Sequence, residues 1–222
     1  LKPALCGVYF NFNDNKITAV ATDGHKLVKH EQEVSEKTTT PLSIVLPLKF
    51  LNIVKTITEN KEDVVVKIGE NHAQTEQKNF TLITRTIKEA FPDFNSVIPD
   101  NNKTVAEVNT QEIIDCLKRV SIFSNKTTKQ TILSFSTKGV MLSAQDIETS
   151  TSAKEHLDCV FTGDEITTSY NAKYLIEVVQ NLGGKETNIY LNSALTAAVF
   201  QTKENKEKEK TTSLLMPIRI NQ

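Results

Sequence analysis

The 222-residue sequence has no tryptophan, three cysteines, seven glycines and six prolines. It has no excess of either charge: 26 Lys and Arg stand against 27 Asp and Glu, a formal net charge of −1. That balance excludes the strongly basic signature of a protein that grips nucleic acid unaided. No apolar run approaches the roughly 18 residues that read as a membrane-spanning helix, so no membrane partner is expected. The opening LKPALCGVYF lacks the layout of a secretory signal, and a cytoplasmic location is expected. The chain starts at Leu1 rather than Met, so a preceding stretch is expected as well. Cys6, Cys116 and Cys159 are odd in number and far apart, each in an apolar run. This argues against disulfides and zinc and for reduced, buried thiols. So few glycines leave little material for a phosphate-cradling loop. No Gly-x-x-x-x-Gly-Lys, Gly-x-Ser-x-Gly or His-Glu-x-x-His string occurs. Neither a metal nor a cofactor is expected. The sequons at Asn79, Asn102 and Asn125 read as chance in a chain rich in Asn and Thr.

What is present is the composition of a soluble globular protein, 38% hydrophobic and 24% charged, with length for one large domain or two ordinary ones. The most informative feature is an internal repeat. A displacement of 124 residues lays Lys49 on Lys173, Phe50 on Tyr174, Leu51 on Leu175 and Val54 on Val178. In both copies a strand leads into a helix of about three turns, then a turn and another strand. Nearly the same displacement lays GVYFNFNDNKITAVA over TILSFSTKGVMLSAQ, two hairpins turning at Asn-Asp-Asn-Lys and Thr-Lys-Gly. NFTLITRTI matches TTSLLMPIRI at an offset stretched by the charged run KENKEKEK, which reads as a solvated loop between strands. The second copy is led by an amphipathic helix, TQEIIDCLKRVSIFS, that the first lacks. The sequence therefore predicts an α+β protein of tandem units, helices packed on antiparallel sheets, divided as 1–98 and 99–222 near FPDFNSVIPDNNK.

One cluster looks catalytic: Asp23-Gly24-His25. An Asp beside a His can form an acid–base pair, but neighbours in a turn rarely aim their side chains at each other. A turn closing the Ile17–Ala21 strand, with Gly24 relieving the backbone, is the expectation. A small hydrolase using Asp23 and His25 is an alternative without a nucleophile to support it. His30, His72 and His156 read as surface residues.

ATDGHKL from Ala21, FPDF from Phe91 followed by VIP, NAKYL, and the terminal LLMPIRI come in an order and spacing that resemble the bacterial DNA polymerase sliding clamp. The resemblance spans essentially the whole chain. It implies tandem sliding-clamp units, each with two helices on antiparallel sheets, here the middle unit without its first helix and the C-terminal unit. It also implies a non-enzymatic processivity factor that encircles double-stranded DNA and binds it without sequence preference. When whole it would be a head-to-tail homodimer, a ring of six similar units. The implied partners are the replicative polymerase, the clamp loader and repair polymerases, which insert short extended peptides into a pocket between the last two units. Carried over by motif, that pocket takes Leu5, Thr22, Gly24, His25, Lys26, Leu27, Pro92 and Val97 from the first unit. From the second it takes Asn171, Tyr174, Leu195, Leu214, Leu215, Met216, Pro217, Ile218 and Arg219. A flexible Met suits a site that accepts several partners, with simple core packing of Leu215 and Met216 as the alternative. The family places helices along the inner wall of the ring, which points to Lys49, Lys55, Lys118, Arg119 and Lys173 as DNA contacts, with Lys2 on a loop near DNA. The two-unit clamps of the trimeric eukaryotic and archaeal rings fit the length, and a peptide-binding scaffold with no DNA role remains a further alternative.

Overall fold

Strands alternate with short turns for most of the chain, as the hairpin patterns require. The computed structural model describes residues 2–35, 37, 40–58, 63–77, 80–204 and 207–220. Two compact units emerge: Leu1–Asp23 with Lys29–Asp93, and Gly24–Val28 with Phe94–Gln222.

In the first unit a 3-10 turn at Pro3–Cys6 precedes β1 (Gly7–Asn13) and β2 (Lys16–Thr22). Their hairpin closes at the Asn13–Lys16 pair. Asp14 takes φ 50° in the turn, a left-handed conformation that Asp tolerates better than most residues. β3 (Lys26–Glu33), whose residues from Lys29 on belong to this unit, and β4 (Leu42–Pro47) follow, and β1 pairs antiparallel with both β2 and β4. β4 runs directly into α1 (Leu48–Ile57), with Pro47 as an N-cap that makes no side-chain hydrogen bond. β5 (Val66–Ile68), β6 (His72–Gln77) and β7 (Phe80–Arg85) form a separate antiparallel sheet. Leu46, Phe50 and Ala73 are buried together, with Phe10, Leu51, Val54 and Leu82 packed against them. Asn79 of the first sequon lies outside the described residues.

The second unit contains β8 (Thr104–Asn109), α2 (Thr110–Ser121), β9 (Gln130–Ser136), β10 (Gly139–Asp146), β11 (Thr151–Leu157) and β12 (Val160–Thr162). It continues with β13 (Ile166–Asn171), α3 (Ala172–Leu182), β14 (Glu186–Leu191), β15 (Ala198–Thr202) and β16 (Glu209–Leu215). One sheet runs β11-β10-β9-β13; the other includes β12-β8-β14-β15-β16. Burial alternates along β8, β9 and β14, so each sheet turns an apolar face to the helices. Ile113, Leu117, Val120, Leu175, Val178 and Val179, at helical spacing on α2 and α3, fill the space with Leu133, Phe135, Ile189 and Phe200. Both helices start at an Asn whose side chain accepts two backbone N–H bonds, Asn109 from Gln111 and Glu112, and Asn171 from Lys173 and Tyr174.

The strand and helix at the centre of each copy of the repeat coincide without slippage. Adding 124 carries β4 and α1 onto β13 and α3. Of KENKEKEK, Asn205 and Lys206 lie outside the described residues. Lys203 bridges Glu107 at 2.6 Å and Glu186 at 3.0 Å, fastening the start of that loop to β8 and β14.

Candidate functional site

Gly24–Val28 comes early in the sequence but packs in the second unit, against α3 and the end of β16. Gly24 adopts φ 88°, a conformation that L side chains rarely take, so the turn before β3 depends on glycine. The next residue, His25, stacks its ring on Tyr174 with centroids 5.9 Å apart and planes 27° from parallel. Lys26 places Nζ 4.2 Å from the centroid of the same ring and 3.3 Å from Oε2 of Glu177. Leu27 is buried. These contacts leave His25 stacked on an aromatic ring.

The segment after β16 is strapped down by hydrogen bonds. The Met216 N–H donates to the His25 carbonyl at 2.9 Å, and the Ile218 N–H to the Ser169 carbonyl at 2.8 Å. Ser169 Oγ donates to the Ile218 carbonyl at 2.7 Å. Gln130 Nε2 donates to Ser169 Oγ at 2.8 Å and to the Arg219 carbonyl at 3.1 Å. Pro217 has no N–H to satisfy between these anchors. Leu214 and Leu215 are buried, Leu215 in the main core, so they support this segment from beneath; Met216 is 47% exposed. Pro217 and Ile218 are half-buried and Arg219 is exposed.

His25, Lys26, Tyr174 and Met216 are thus brought together. Asn171 caps α3 and donates from Nδ2 to the Thr128 carbonyl at 2.9 Å, a structural task that positions Tyr174 three residues on. Leu195 and Val97 are 63% and 53% exposed in the second unit. Leu5, Thr22 and Pro92 belong to the first unit, where Leu5 and Thr22 are half-buried and Pro92 is exposed.

The six basic residues expected to meet DNA are all exposed: Lys2 and, on α1, Lys49 and Lys55 in the first unit; Lys118 and Arg119 on α2 and Lys173 on α3 in the second. Arg119 is the exception in its electrostatics. Its guanidinium makes a two-point pair with Glu155 of β11, one arm of which is Nε to Oε2 at 3.2 Å. That hydrogen bond holds the Glu155 carboxyl below its usual range. Lys118 lies 3.6 Å from Asp115.

Three residues at the site carry no sequence motif: Glu177, Ser169 and Gln130. Glu177 stands three residues beyond Tyr174, so helical spacing places it on the same face and could have flagged it. Ser169 and Gln130 act on the backbone of residues far along the chain, a relation that no local spacing encodes.

Of the three cysteines expected to be buried, only Cys116 is. Cys116 is buried, and burial pushes its thiol up to about 12 with the Glu155 charge adding to the effect. Cys159 is only half-buried and Cys6 is exposed, because it ends the short 3-10 turn outside the sheets rather than lying within a strand. Among the described residues no group of three or more His, Cys, Asp or Glu gathers as a metal site would. No helix among them is long and apolar enough to cross a membrane.

Residues 1–93 match the family model described as DNA polymerase III beta subunit, central domain, and residues 95–219 match the C-terminal domain of the same subunit. The chain is 28% identical over 221 residues to the beta sliding clamp of Haemophilus influenzae and 25% identical over 226 residues to that of Bacillus subtilis. These alignments cover 97% and 98% of the chain but 58% of each relative. The fold matches the solved sliding clamp of Bacillus subtilis with a TM-score of 0.92 at 23% identity, over 99% of this chain and 58% of that one. It matches a Pseudomonas aeruginosa clamp bound to griselimycin with a TM-score of 0.90 at 22% identity, over 98% and 58% of the two chains. With both domain models matched in order across nearly all of its length, the chain belongs to the family of the DNA polymerase III beta subunit.

Proposed function

We propose that this chain forms part of a DNA sliding clamp, a non-enzymatic processivity factor that tethers a replicative polymerase to double-stranded DNA. Its second unit docks short extended peptides of the polymerase, the clamp loader and repair polymerases. The observation that carries the reading is the stack of His25 on Tyr174 with Met216 hydrogen-bonded to His25 beside it. An aromatic ring and an exposed thioether offer apolar surface to Leu or Phe side chains, and the thioether adapts to differing partners. The relative solved with griselimycin bound adds that a clamp of this fold accepts a ligand. DNA is met by the exposed Lys2, Lys49, Lys55, Lys118 and Lys173, with Arg119 contributing less because Glu155 neutralises it. Sparse phosphate contacts suit sliding, since retention comes from ring closure rather than affinity. The whole protein closes as a head-to-tail homodimer in the cytoplasm.

The test is fluorescence anisotropy with a labelled Gln-Leu-Ser-Leu-Phe peptide, titrated with the wild type and with Met216→Ala. Saturable binding is expected, weakened about tenfold in the variant, the size of losing one buried apolar side chain. A folded wild type that gives no saturable binding removes peptide docking from this chain.

A further inference from the structure

We propose that Glu177 is a positioning residue of the docking site: it holds Lys26 against the Tyr174 ring and so fixes the aromatic surface that a peptide meets. The inference rests on the peptide-docking reading above and names a residue that the carried-over motif omits.

The argument begins with the lysine. A Lys side chain has four rotatable bonds, and its ammonium is strongly hydrated, so it holds a place on a ring face only if something keeps it there. Here Oε2 of Glu177 lies 3.3 Å from Nζ, and Nζ lies 4.2 Å from the Tyr174 centroid. Tyr174 and Glu177 are three residues apart on α3, so both present themselves to the Gly24–Val28 segment from one helical face. The three groups are linked in turn: carboxylate to ammonium, ammonium to ring, and ring and carboxylate on one helix. The lysine side chain is 27% exposed and the glutamate 39%, a partly dehydrated setting in which both contacts are screened less than on open surface.

The consequence is directional. With Glu177 in place the ammonium covers part of one ring face, and the ring stays in register with His25, whose carbonyl receives the Met216 N–H. Without the carboxylate the ammonium loses a contact that holds it on the ring, the ring gains rotamer freedom, and a peptide must restrict that freedom on binding.

The experiment uses the full chain with 3-fluorotyrosine in place of its four tyrosines, the Tyr174 resonance being assigned with Tyr174→Phe. Glu177→Gln is expected to shift and broaden that resonance in the absence of peptide, while Glu177→Asp shifts it less. In wild type, raising salt to about 1 M should move it towards the Gln position, because screening then acts within about 3 Å. In the anisotropy titration Glu177→Gln should weaken Gln-Leu-Ser-Leu-Phe about threefold to fivefold, the scale of one exposed ion pair and cation–π contact. An unmoved fluorine resonance in Glu177→Gln, or peptide affinity equal to wild type, overturns the positioning role. A folded wild type that is silent in the titration overturns the docking reading alone, since the fluorine arm needs no peptide.

Discussion

Arg119, in the last turn of α2, sets its guanidinium against Glu155 of β11, and that pair changes how both residues titrate. Glu155 is held below its ordinary range in the folded state, so it contributes stability above that range. The contribution disappears as pH falls through the lowered value. Glu155→Gln is therefore expected to flatten the acid limb of a thermal-denaturation series and to leave the melting temperature near pH 8 less changed than that of Arg119→Ala. An acid limb identical to wild type would show that the pair adds nothing. The same contact separates two neighbours that residue type alone does not. Arg119 and Lys118 are adjacent, basic and exposed, and only the approach of β11 distinguishes them. Cys116 shows the converse, since its apolar surroundings in sequence already indicated the buried, protonated thiol found in the fold.

The two helices related by the repeat differ in what covers them. α3 buries Ala172, Leu175, Val178, Val179 and Leu182 and packs against α2, whereas α1 buries Phe50 alone. Leu48, Ile53 and Ile57 are 51%, 36% and 37% exposed. The difference follows from α2, which has no counterpart in the first unit among the described residues. Leu175→Ala should cost about 2–5 kcal/mol in chemical denaturation, because it removes a buried side chain from a filled core. Leu48→Ala should cost less than about 1 kcal/mol, the range of surface substitutions. Equal losses would contradict the packing described for the two helices. Strand pairing was the easier inference at this scale. Period-two alternation and the Asp14 turn are local, and a register slip of one residue would expose every buried side chain of β9 or β14.

At the scale of the whole chain, near-zero net charge and scattered exposed lysines mean that the proposed contact with DNA is weak and non-specific. Linear duplex DNA titrated with this chain in about 150 mM salt should show no binding tighter than the non-specific range of roughly 1–100 µM. Affinity in the nanomolar range would contradict the proposed retention by ring closure. The repeat, the hairpins, the amphipathic helices and the motif strings were legible in order along the chain. Each arises from local periodicity or turn chemistry, which a residue and its near neighbours carry together. What the sequence could not state is which distant groups meet. Gly24–Val28 packs with residues some 150–190 positions later, Ser169 ties down Ile218, Gln130 reaches Arg219, and Glu177 meets Lys26. Those contacts depend on how sheets and helices stack to bury apolar surface. Burial is indifferent to separation along the chain, so only the folded arrangement decides them.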